Sequence, residues 1–245
     1  MAEVNLGVIT DNPTRRRDSV GGNDRIDTFS FRVLGSRSDI HLALTGMSAN
    51  ASLRLYRDFN GNGVIDSNDR LLASSTFGSN NDESINISSS LVNAGPGSYI
   101  AEVVPVGSAN TGYDLRVATS AAVGNAPAPS PLLPAETNVG NLTSPRSFTG
   151  TVRQTNMIDT YRFNVTSTRF VNLTARASGS FFNNVDLILI RDGNGNRQVD
   201  PGEIVARSTN LNGLEGIGRN LMAGTYYLQV QNVAGTTSNY TLNMS

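Results

Sequence analysis

The chain has 245 residues, enough for one large domain or two of about 120. Its 19 Arg/Lys and 20 Asp/Glu residues leave a net charge of −1, so bulk charge draws it to neither nucleic acid nor an anionic membrane. The absence of Cys excludes disulfides, thiolate metal sites and cysteine nucleophiles.

The first residues, Met1-Ala2-Glu3-Val4-Asn5-Leu6-Gly7, carry neither a basic n-region nor an apolar h-region. No Sec-type signal peptide is visible, and export would need a leader outside this chain or another route. No run approaches the roughly 20 apolar residues of a membrane span, so none is expected. Arg15-Arg16-Arg17 reads as a solvated loop. Between Ile26 and Val33 the period is two: Thr28, Ser30 and Arg32 alternate with Phe29, Phe31 and Val33. That is the pattern of a half-buried strand. His41 is the only histidine, and neither a zinc site nor a Ser-His-Asp triad has enough parts, so it reads as an ordinary strand residue. Short Val/Ile/Leu/Tyr runs recur between Asp/Asn/Gly turns, which points to an all-β protein.

Leu53 and Leu55 lead into residues 58–69, Asp-Phe-Asn-Gly-Asn-Gly-Val-Ile-Asp-Ser-Asn-Asp. Oxygen-bearing side chains fall at the first, third, fifth, ninth and twelfth positions: Asp58, Asn60, Asn62, Asp66 and Asp69. This is the spacing of a twelve-residue EF-hand-type calcium loop. Calcium takes six to eight hard oxygen ligands, and a chain wrapping one ion offers them from alternate residues plus the seventh carbonyl, here that of Val64. Gly63 at the sixth position permits the sharp turn, and Ile65 at the eighth anchors the loop. Magnesium, with its small water-rich octahedral shell, fits less well. Both flanks are strand-like, so the loop is expected between strands and not between helices.

The stretch Thr119–Glu136 carries Pro127, Pro129, Pro131 and Pro134 among Ala and Ser. It reads as a semi-rigid spacer, giving a first domain at 1–119, a linker at 120–135 and a second domain at 136–245. Beyond it the first half is written again. Ile158–Val165 matches Ile26–Val33, Met222–Leu228 matches Ala94–Ile100, and Ser238–Met244 matches Gly112–Val117 with the tyrosines aligned. Residues 192–203 match the calcium-type loop, with Asp192, Asn194, Asn196, Asp200 and Glu203 at the five ligand positions and Gln198 at the carbonyl position. Here Arg197 stands where the turn Gly should be, while Glu203 is a longer, bidentate-capable twelfth ligand. Two copies in register carry far more weight than one, since Asn, Asp and Gly fill any turn. Four blocks in constant order imply tandem duplication of one domain. About seven or eight short strands per repeat predict two antiparallel, jelly-roll-like β-sandwiches.

Two other features read blandly. Asp27-Thr28 and Asp159-Thr160 lack the glycine and the shared site of an aspartic-protease dyad. Phe181-Phe182 reads as the buried start of a strand, with an exposed sticky tip as the alternative.

Each repeat resembles the bacterial pre-peptidase C-terminal domain, the β-sandwich family that includes the collagen-binding modules of clostridial collagenases. The residues that carry the resemblance are Asp27-Thr28-Phe29-Ser30-Phe31 and Asp159-Thr160-Tyr161-Arg162-Phe163, then Asp186-Leu187-Ile188-Leu189, Ala223-Gly224-Thr225-Tyr226 and Tyr240-Thr241-Leu242. The first repeat departs from the pattern at Ser52, and at the turn it has Gly95-Pro96-Gly97-Ser98-Tyr99. The resemblance implies company with secreted proteases, and for some members calcium or matrix binding. Of the family's acidic linker cluster, Asn23, Asp24 and Asp27 are the nearest candidates, and the second repeat keeps only Asp159. The expected function is a non-enzymatic, calcium-binding protein acting extracellularly or at the cell surface. The alternative is an adhesion module for a matrix polymer or polysaccharide, or an accessory to a secreted protease.

Overall fold

The computed structural model describes residues 2–35, 38–90, 94–121, 128–178, 183–211, 213–234 and 236–245. Phe181, Phe182 and Pro127 lie outside the described residues. Everything described is strand, turn or loop, without a helix.

The first half contains β1 (Val4–Val8), β2 (Thr14–Val20), β3 (Asp27–Val33), β4 (Ser38–Thr45), β5 (Ala51–Asp58), β6 (Arg70–Ser75), β7 (Glu83–Ile87), β8 (Gly97–Pro105) and β9 (Thr111–Ala121). They form a five-stranded sheet, β1-β3-β8-β5-β6, facing a four-stranded one, β2-β9-β4-β7. The second half contains β10 (Thr137–Asn141), β11 (Arg146–Arg153), β12 (Ile158–Val165), β13 (Arg169–Ser178), β14 (Asn184–Arg191), β15 (Ile204–Ser208), β16 (Leu214–Leu221), β17 (Gly224–Ala234) and β18 (Thr237–Met244). Its sheets, β10-β12-β17-β14-β15 and β11-β18-β13-β16, repeat the first half strand for strand. The fold is all-β, built of paired sheets. Among the described residues each half has nine strands where seven or eight were expected, and the edge pairs β1/β3 and β10/β12 run parallel in otherwise antiparallel sheets.

The alternation read from the sequence decides which way each strand faces. Phe29, Phe31 and Val33 enter the core of the first half, and Tyr161, Phe163 and Val165 enter that of the second. The recurring sequence blocks meet there. Phe31 stacks on Tyr99 at 5.5 Å, and Phe163 stacks on Tyr226 at 5.6 Å. The Tyr240 ring lies directly over Gly150, where any Cβ would collide with it.

β14 is buried on both faces over most of its length, although it carries Asp186 between Val185 and Leu187. Val185, Leu187 and Leu189 face the sandwich core, while Ile188 and Ile190 face the other way and are still buried. They are covered by Leu133 and Ala135. The described part of the expected spacer is therefore packed. Leu132 sits against Ala43 and Ala118 on the outer face of β4 and β9, whereas Leu133 faces β14 and β17. The segment fills the space between the two halves, and β9 runs to Ala121, two residues past the expected boundary. In the first half the strand equivalent to β14 has Arg54 and Tyr56 at the outward positions, only partly buried.

Arg15, Arg16 and Arg17 lie on β2, a correction to the loop reading. β2 is an edge strand pairing only with β9, so little of it needs to be apolar. Arg15 is anchored by Asp114, with Nε donating to Oδ2 at 2.7 Å.

Phe163→Ala would remove a fully buried ring and should lower unfolding free energy by about 3–5 kcal/mol. A denaturant titration checks this: the midpoint should fall with the slope unchanged, and an unmoved midpoint would contradict the packing.

Candidate metal loops

Both twelve-residue stretches connect two adjacent antiparallel strands, as the flanks predicted: 58–69 joins β5 to β6, and 192–203 joins β14 to β15. The residue before each first ligand is an arginine that ties the loop to a neighbouring turn. Arg57 donates to Gly95 O at 2.9 Å and lies 4.7 Å over the Tyr99 ring. Arg191 donates to Ala223 O at 3.1 Å.

Inside the loops the hydrogen bonds repeat position by position. The first carboxylate accepts from the sixth backbone N–H: Asp58 from Gly63 at 3.0 Å, Asp192 from Arg197 at 3.2 Å. The twelfth accepts from the second and ninth N–H groups: Asp69 from Phe59 and Asp66, Glu203 from Gly193 and Asp200. The third side chain accepts from the fifth N–H, and the fifth from the seventh, so Asn62 holds Val64 and Asn196 holds Gln198. The amides of the third and fifth residues both donate to the ninth carboxylate, Asp66 or Asp200. All ten candidate ligand side chains thus take part in two hydrogen-bond rings. The Asn68 N–H, followed by the Asn62 and Asn60 amides, holds the Asp66 carboxyl below its usual range.

Arg197 adopts φ 59°, matching the φ 67° of Gly63. The left-handed turn survives although an L side chain disfavours it. The guanidinium turns away to Asp82 of the first half at 2.8 Å.

The donor set suits calcium: carboxylates, amide oxygens and one carbonyl are all hard oxygen ligands. One further observation bears on the fit. Asp192 is 8% exposed, and its buried Oδ1 has no hydrogen-bond partner. A buried carboxylate oxygen left unpaired is costly, and a cation would satisfy it. Asp58, 4% exposed, has both oxygens met by loop N–H groups of Gly61 and Gly63.

A second acidic group involves a residue the sequence reading missed. Glu3, Asp24 and Asp27 bring carboxylate oxygens within 4.8 Å of one another. Glu3 also accepts from Thr28 N at 3.0 Å. The second half keeps more than Asp159, because Glu136 accepts from Thr160 N in the same way. Asn156 stands where Asp24 is in the first half, and its amide donates to Asp159. The signal was present in the sequence: Ala2-Glu3-x-Asn5-x-Gly7 recurs as Ala135-Glu136-x-Asn138-x-Gly140.

The Asp-Thr aspartates are structural. Tyr113 donates to Asp27, and Tyr240 donates to Asp159 at 2.6 Å. Burial pushes both carboxyls up to about 6. His41 is 0% exposed. Asn86 spends its Nδ2 on Ser84 and the Ile158 carbonyl, so its Oδ1 accepts from His41 Nδ1–H at 2.8 Å. Ser120 then donates to His41 Nε2 at 2.7 Å. Burial holds this imidazole neutral by lowering its pKa. The Ser-His contact, invisible in sequence, is sealed inside the protein.

The raised Asp159 pKa has a sign that can be measured. The folded chain binds this proton more tightly than the unfolded one, whose carboxyl titrates near 3.9. The contribution to stability is therefore full below about pH 4 and fades as pH rises through about 6. In chemical denaturation from pH 4 to 7, Asp159→Asn should flatten that decline; an unchanged pH profile would contradict the assignment.

No curated protein matches the chain. Among solved structures it is similar to the pre-peptidase C-terminal domain of a collagenase from Bacillus anthracis, at 18% identity over 46% of this chain and 97% of that one, with a TM-score of 0.38. It is also similar to a Yersinia pseudotuberculosis-derived mitogen, at 16% identity over 42% and 85%, with a TM-score of 0.33. PliG, a periplasmic inhibitor of g-type lysozyme from Aeromonas hydrophila, matches at 16% identity over 44% and 95%, with a TM-score of 0.30. Residues 158–232, spanning β12 into β17, match the family model described as the bacterial pre-peptidase C-terminal domain.

Proposed function

We propose that the chain is a non-enzymatic calcium-binding protein of two tandem sandwiches of pre-peptidase C-terminal type, acting extracellularly or at the cell surface. Calcium would be held by Asp58, Asn60, Asn62, Asp66 and Asp69 with the Val64 carbonyl, and by Asp192, Asn194, Asn196, Asp200 and Glu203 with that of Gln198. The observation that carries this reading is the hydrogen-bond pattern that the two loops share at their first, third, fifth, ninth and twelfth positions, with the Asp192 Oδ1 of the second left unpaired. In both rings the Asn amide groups donate to the ninth carboxylate, a place where bound cation charge would substitute for two N–H dipoles. The chemistry calcium supplies is neutralisation of clustered carboxylates, which orders each loop and stabilises the folded form by mass action. Few carboxylates per loop imply affinities on the order of 10⁻⁴–10⁻³ M.

A second reading is that calcium only shapes a surface that binds a matrix polymer or polysaccharide, or that serves a secreted protease. The match of residues 158–232 to the bacterial pre-peptidase C-terminal domain model favours keeping it. Retention on collagen or polysaccharide beads would support it.

Calorimetric titration of calcium into chelator-stripped protein should give two events, one lost in Asp58→Ala and the other in Asp192→Ala. At 10 mM calcium each site should add roughly 1.4–2.7 kcal/mol of stability at these affinities. An absence of heat and of any melting shift at that concentration would sink the calcium reading.

A further inference from the structure

The two loops share a hydrogen-bond ring but differ in their surroundings. Gly63, at the sixth position of the first loop, lies near only Ala2 and Ser30 of its own half. In the second loop, residues five to eight are bound from outside. The Asn196 carbonyl accepts from Arg116 Nη1 on β9 of the first half. The Arg197 carbonyl accepts from Leu133 N at 3.1 Å, and Val199 N donates to Pro131 O at 2.9 Å. Leu132 forms an isolated bridge with Gln198, and the Val199 side chain packs with Leu133 and Tyr227. Asp82 accepts both from Arg197 Nη1 at 2.8 Å and from Ala135 N at 2.7 Å.

We infer that the first half, through Asp82 and Arg116, together with the connecting segment 130–135, holds the 192–203 loop in its cation-ready shape, so that calcium at this loop and docking of the two halves are coupled. This rests on the calcium reading above. Arg197 by itself opposes a metal loop twice, by a left-handed backbone that L residues avoid and by a positive charge beside the ligands. The structure answers both objections from outside the loop, through the first half and the connecting segment. Asp82 draws the guanidinium across and neutralises it, and the bonds to Leu133, Pro131 and Arg116 fix the backbone on either side of it. An arginine that looks like degeneration of the loop is thus the arm that connects the halves. Coupling is reciprocal, so calcium should tighten docking as much as docking tightens calcium.

The test is calcium calorimetry on the full chain, reading the event that Asp192→Ala abolishes. Asp82→Asn should weaken that event about fivefold or more, leave the Asp58-dependent event unchanged, and have no further effect in the R197G background. A second readout uses the unmutated interface: calcium should slow hydrogen exchange at the Leu133 and Val199 amides, and Asp192→Ala should abolish the slowing. Unchanged affinity of the second event in Asp82→Asn, an equal shift in both events, or calcium-insensitive exchange would overturn this inference alone. If the wild-type chain shows no Asp192-dependent event, the calcium reading of that loop falls and this inference with it.

Discussion

Two sheet faces that would ordinarily meet water are instead closed against each other through one short stretch of chain, and every polar group trapped there needs a partner. The stretch 130–136 supplies several of them. Gln229 Nε2 donates to the Ser130 and Leu132 carbonyls. The buried Glu136 carboxylate takes the Ser84 hydroxyl from one half and Thr160 N from the other. Asn86 reaches the Ile158 carbonyl, and its backbone carbonyl accepts from Met157 N. Burial and the neighbouring Asp159 charge push the Glu136 carboxyl well above the ordinary range. Few substitutions in this layer can be neutral, because removing one partner strands the other. The same layer carries the second loop, so the buried outward face of β14 and the position of Arg197 follow from one packing constraint.

The loops themselves obey a local constraint. Twelve residues must leave one strand and enter its antiparallel neighbour while crowding three carboxylates together. Backbone N–H groups aimed inward share the load with the Asn amides. That explains why the ring is so similar in the two halves although Arg197 replaces Gly63 and Glu203 replaces Asp69. The geometry belongs to the spacing of acceptors along the chain, and the sixth residue must take positive φ whatever its side chain.

Features fixed by local chemistry were legible in the sequence. The alternation of Phe29, Phe31 and Val33, the duplication, and the placement of both loops between strands all follow from patterns a few residues long. Nothing local in Leu187–Ile190 says what covers the outward face of that strand. What escaped was set by long-range pairing. Asp82 and Arg116 sit in the first half with no marker of their role, and they matter because of a loop about 80 or 115 residues later in the chain. Arg15 to Arg17 look like a loop because an edge strand needs little apolar surface. Leu132 and Leu133 stand among prolines that promised a spacer, yet each packs against a different half. Glu3 was findable, since its flanking residues recur around Glu136, but a single acid near a terminus draws little notice without its copy.

The claim at the centre of this account is that the two rings are cation sites. Anomalous diffraction from crystals grown with calcium locates bound ions without substituting any residue. The account predicts two peaks, one amid Asp58, Asn60, Asn62, Asp66 and Asp69, the other amid Asp192, Asn194, Asn196, Asp200 and Glu203. Density at neither ring, or only beside Glu3, Asp24 and Asp27, would contradict it.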